Sequence, residues 1–181
     1  MESALFARDV KVTAVEIFAQ LSQTIPVQDE QIRQLFSDIA DRNGAVDGFL
    51  YLSAGHGEAQ AWREEEGLFF AAKHFQRVMR LSEHPSRKFF ITVSHLDGQL
   101  GRSGTGNCRM ESSAIFGLLK TLQQEWPTVF CRALDMAPEL TDITKCELLM
   151  EEIVDCEQSL TEVGCNTEGR WTVHWQAESV E

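Results

Sequence analysis

The chain reads as an α/β protein built on a parallel sheet. Three observations predict this. Phe89-Phe90-Ile91-Thr92-Val93 is a continuous β-prone run, the pattern of a parallel strand buried on both faces. After it, Gly98, Gly101, Gly104 and Gly106 punctuate Ser94 to Asn107, which suits a loop at the carboxyl end of a strand. From Glu111 to Trp126, Ala114, Ile115, Leu118, Leu119 and Leu122 fall at helical spacing, and Pro127 then turns the chain into a second apolar run, Val129 to Asp135. Strand, loop, helix and strand make one βαβ unit, and hence a parallel sheet.

The other elements follow in order. Val10, Val12, Val15 and Ile17 are β-branched and favour a strand near the amino terminus, although Ala14 to Leu21 fits a helix equally well. Asp29 can cap a helix reaching Asp41, with Ile32, Leu35, Phe36 and Ile39 as its apolar stripe and Asn43-Gly44 closing it. Ala45 to Gly55 reads as a buried strand and a small-residue turn. His56 to Gly67, polar and without apolar periodicity, reads as a loop crossing the carboxyl edge of the sheet, with Glu64-Glu65-Glu66 as a solvated face. A helix is expected from Leu68 to Leu81, and His74 on it reads as a surface or interface histidine rather than a general base. Ser112 or Ser113 is the expected cap of the next helix.

Beyond Asp135, a helix from Thr141 to Glu157 carries an apolar face of Ile143, Leu148, Leu149, Ile153 and Val154, with Glu147, Glu151, Glu152 and Asp155 opposite. Thr161 to Gly164, a turn at Asn166 to Gly169 and Arg170 to Val173 form a hairpin-like end. Trp171, Val173 and Trp175 alternate along it, so its apolar face either packs on the core or waits for a partner.

Composition narrows the function classes. At 181 residues the chain suits one domain, and 43% hydrophobic with 24% charged residues is ordinary for a water-soluble globular protein. No run approaches the roughly 20 apolar residues of a membrane span, and no leader pattern opens the chain, so no membrane contact and a cytoplasmic location are expected. The net charge of −12 with scattered Lys and Arg argues against nucleic acid. Cys108, Cys131, Cys146, Cys156 and Cys165 show no zinc-ligand spacing, so reduced, mostly buried thiols are expected and no metal site.

The stretch from Phe89 to Met136 also resembles a known family. Its strand ending in Thr-Val-Ser, the glycine loop, the helix Ala-Ile-Phe-Gly-Leu-Leu-Lys-Thr-Leu-Gln-Gln-Glu-Trp-Pro and the strand Arg-Ala-Leu-Asp-Met resemble the ketoreductase region of polyketide and polyunsaturated fatty acid synthases, in the short-chain dehydrogenase/reductase superfamily. The Glu-Trp-Pro helix end and the Leu-Asp strand end look like that region's non-catalytic structural subdomain, a resemblance that implies an α/β fold with a truncated Rossmann-like parallel sheet and helices on both faces. The resemblance covers about residues 29 to 173 and implies one domain over 1–177, with 1–28 unassigned and 178–181 a tail. It implies as partners a catalytic ketoreductase subdomain that holds NADPH, and other synthase domains.

Working short-chain reductases use a serine after the fifth strand and a Tyr-x-x-x-Lys pair on the next helix. Here Ser94 falls at the serine position, but Cys108 stands at the tyrosine position and Ser112 at the lysine position. Tyr51, the one tyrosine, lies in an earlier strand, and Ser53-Ala54-Gly55 stands where the family has Asn-Ala-Gly. The expected set of catalytic residues is therefore empty, with Ser94 as a remnant that satisfies local backbone groups. No cofactor is expected in this chain, because no glycine precedes Gly44 to form a phosphate-binding turn. Two other readings stay open: a divergent reductase or hydrolase using Ser94 with His95 or His74, and a self-associating module that dimerises through residues 170 to 176.

Overall fold

The computed structural model describes residues 29–44, 46–53, 58–79, 87–104 and 110–174, together with the single position Thr13. Chain order is α1 (Asp29–Asn43), β1 (Gly48–Leu52), α2 (Glu58–Met79), β2 (Lys88–Ser94), α3 (Met110–Glu125), β3 (Val129–Met136), α4 (Asp142–Val154), β4 (Glu162–Asn166) and β5 (Gly169–Thr172). The strands form one sheet in the order β1-β2-β3-β4-β5. The first four are mutually parallel, and β5 returns antiparallel to β4. This is the Rossmann-like α/β architecture expected. The expected amino-terminal strand, Ala54-Gly55, Gly106, Cys108 and Trp175 lie outside the described residues.

Each face of the sheet has its own core. On one, Ile32 and Phe36 of α1, Leu68, Ala72 and Phe75 of α2 and Ile115 and Leu119 of α3 pack on Tyr51, Phe90, Val129 and Cys131. Phe90 anchors the aromatic contacts there, stacked on Phe49 at 4.5 Å and edge-on to Trp126 at 5.9 Å. The other core joins Leu149 of α4 to Ile91, Val93, Phe130 and Leu134. Covered on both sides, β3 is buried along its whole length, which explains its lack of polar alternation.

The placement of α4 has a topological consequence. The chain steps the same way across the sheet from β1 to β2, β3 and β4, yet α4 lies on the face opposite α2 and α3. The β3-α4-β4 crossover therefore has the opposite hand to the two before it, an arrangement found in only about 2% of such units. A buried ion network fastens it. The fully buried Arg132 guanidinium meets Glu152 of α4, reaches Asp155 at 2.6 Å and donates to the Leu160 carbonyl at 3.1 Å. Arg170 of β5, itself exposed, donates to the same Glu152 at 2.6 Å and to half-buried Asp155 at 3.0 Å, so two cations and two carboxylates balance from the buried Arg132–Glu152 pair out to the surface.

Several expectations are corrected. Residues 58–67 are helical and not a loop, so α2 starts ten residues before Leu68. Ala, Gln, Arg and Glu dominate Glu58 to Glu66, and their intrinsic helix preference operates without an apolar stripe. Of its acidic run, Glu66 is exposed but Glu65 is half-buried. Helix α3 begins at Met110, which places Ser112 and Ser113 inside its first turn and not at its cap. Thr141 caps α4 by accepting from Thr144 N, and the helix ends at Val154, short of Glu157. On α4 the expected faces are rotated: Ile143 is exposed, while Glu152 is buried because Arg132 draws it inward.

Candidate functional site at the carboxyl edge of the sheet

In open α/β sheets ligands bind beyond the carboxyl ends of the strands, so that edge is where chemistry is sought. Ser94 ends β2 and Asp135 stands beside it in register on β3. Both are buried. The Ser94 hydroxyl donates to the Leu134 carbonyl at 3.2 Å, across to the neighbouring strand. Its role is thus backbone satisfaction, though over 40 residues of sequence and not locally. His95 points its Nδ1 at the Met136 carbonyl at 3.2 Å, so it too is turned toward β3. Among the described residues no hydrogen bond joins Ser94 to a histidine.

Of the surface and interface roles expected of His74, the structure shows the second, at the contact between α1 and α2. His74 is 2% exposed, and its Nε2 donates to Asp29 Oδ1 at 2.5 Å, tying α2 to the first residue of α1. Lys73 donates to the other Asp29 oxygen at 2.6 Å. Hydrogen bonds from Lys73 and His74 hold the Asp29 carboxyl below its usual range. A carboxylate 45 residues away in sequence was needed to reveal this, and spacing on one helix could not supply it.

The loop after β2 crosses the carboxyl edge as a strap. Two carboxylates organise it. Asp135 takes Leu96 N at 2.8 Å on one oxygen and Leu100 N at 2.9 Å on the other. Asp97 takes Gln99 N at 2.8 Å, Gly101 N at 2.8 Å, Ser103 N at 2.9 Å and the Ser103 hydroxyl at 2.7 Å. The backbone N–H groups that would otherwise form an anion-binding nest are thereby directed at the chain's own side chains. Leu100 adopts a left-handed conformation at φ 61°, and its amide is one of the two that Asp135 holds.

Two glycines let the strap settle on β4. A Cβ on Gly98, whose φ is 70°, would lie 2.3 Å from the Cys165 carbonyl oxygen. A Cβ on Gly164 would lie 2.4 Å from the Gly98 carbonyl oxygen. Contact this close between two backbones requires glycine on both sides.

The electrostatics of the two carboxylates diverge. Burial pushes the Asp135 carboxyl up, partly offset by the Leu96 and Leu100 amides, while the neighbouring Asp97 charge pushes it further up. Burial also acts upward on Asp97, but the Ser103 hydroxyl and the amides of Ser103, Gln99 and Gly101 overcome it and bring that carboxyl far below the usual range. Burial raises the Cys165 thiol to about 11 and the Cys131 thiol to about 12, so both stay as inert thiols. Cys156, in contrast, is exposed, against the expectation of mostly buried thiols, because α4 ends before reaching it. Among the described residues no group of His, Cys, Asp and Glu could hold a metal ion, and no helix is long and apolar enough to cross a membrane.

The sheet order and the helices on both faces make a Rossmann-like α/β fold. The chain is similar to a short chain dehydrogenase from Salmonella enterica serovar Typhi, with a TM-score of 0.51, 13% identity and coverage of 89% of this chain and 68% of that one. It is also similar to a Pseudomonas syringae protein described as a short chain dehydrogenase, with a TM-score of 0.50, 18% identity and coverage of 77% and 59%. At such identities the likeness concerns the fold. The chain spans 54% to 59% of the length of three solved dehydrogenase structures to which it is similar, the Pseudomonas syringae protein among them. No protein-family model matches it, and no curated protein matches it.

The sequence left two parts of this edge unread. Asp97-Gly98 is a recognisable turn signal, since an aspartate accepts from the amide two residues on. The clasp by Asp135 and the contact of Gly98 with Gly164 had no local signal, because both join segments brought together only by the strand register.

Proposed function

We propose that this chain is the non-catalytic structural subdomain of a ketoreductase in a cytoplasmic polyketide or polyunsaturated fatty acid synthase. On this reading it docks against a catalytic half that holds NADPH and reduces β-ketoacyl chains, and it keeps that half's substrate loop and helices in place. It acts as one domain over residues 1–177, with residues 178–181 as a tail. The observation that carries the reading is the use made of the carboxyl edge. Ser94, at the position of the family's catalytic serine, spends its hydroxyl on the Leu134 carbonyl, and the strap of residues 95–104 seats against β4 through Gly98 and Gly164. Cys108 and Ser112 stand where the family places its proton donor and its lysine, which removes the acid such a reduction needs.

The test is calorimetric titration of NADPH into the purified chain. The expected result is no saturable heat up to millimolar cofactor, and a rise in binding only when a catalytic half is present. Saturable micromolar binding by the chain alone overturns the reading and makes it a reductase with an unorthodox site.

A further inference from the structure

We draw no further inference here: the strongest candidate, the exposed face of α2 that presents Phe69 between Glu66 and Arg77, carries nothing because nothing in the structure shows what covers it.

Discussion

Asp135, at the end of β3, holds both Leu96 and Leu100 of the loop that follows the neighbouring strand β2, one amide on each carboxylate oxygen at 2.8 and 2.9 Å. A residue in the middle of the sheet thus sets the path of a segment that leaves from its neighbour. Replacing Asp135 with Ala orphans two amides, and each unsatisfied donor costs about 1–3 kcal/mol. The expected outcome is a loss of about 2–5 kcal/mol in urea unfolding. Hydrogen exchange should accelerate at the Leu96 and Leu100 amides before it does elsewhere. Unchanged exchange at those two positions contradicts the clasp.

The two strap carboxylates should act on stability in opposite directions with pH. The Asp97 carboxyl is lowered on folding, so its contribution is present above the free aspartate value of about 3.9 and fades as pH falls below it. The Asp135 carboxyl is raised, so its contribution is fully present below that value and is lost as pH rises through the raised one. Asp97→Asn should therefore remove part of the stability lost on acidification. Asp135→Asn should remove part of the stability lost as pH rises toward neutral. Urea midpoints measured from pH 3 to pH 7 for both variants check this, and slopes of the same sign for both contradict it.

Glycine substitutions separate close approach from backbone freedom. Gly98→Ala and Gly164→Ala each drive a methyl into backbone, and each should cost about 2–4 kcal/mol. Gly104→Ala meets nothing within 4 Å and pays only for its φ of 68°, about 1–2 kcal/mol. Gly117→Ala, inside α3 with open space around it, should stabilise by about 0.5–1 kcal/mol. Thermal melts of the four variants should rank in that order.

The ion network under α4 is expected to be asymmetric. Glu152→Ala leaves Arg132 fully buried with its main carboxylate gone, a loss of about 3–5 kcal/mol. Arg132→Met should cost less, because Glu152 keeps Arg170 at 2.6 Å and the thioether fills the space of the guanidinium stem. A double-mutant cycle over Arg132 and Glu152 measures the coupling, and equal losses in the two single variants contradict the arrangement.

What could be read in advance was local. The βαβ unit around Phe89 to Asp135 announced itself through a β-prone run, glycines and a helix ended by Pro127, and the structure keeps each boundary within about one residue. The first part of α2 escaped because apolar periodicity was given more weight than the helix preference of Glu58 to Glu66. His74, Glu152 and Asp135 escaped for a different reason. Each is buried against a partner 18 to 45 residues away, and such pairs form only once the elements that carry them are packed together.

On the function we propose, this chain supports a reduction that it does not perform. The most direct measurement is the rate of NADPH oxidation by a ketoreductase catalytic half acting on a β-ketoacyl thioester, with and without this chain. The account predicts that the chain alone gives no turnover and that adding it raises the rate of the catalytic half until the two are equimolar. Turnover by the chain alone, or a catalytic half whose rate does not respond to it, contradicts the account.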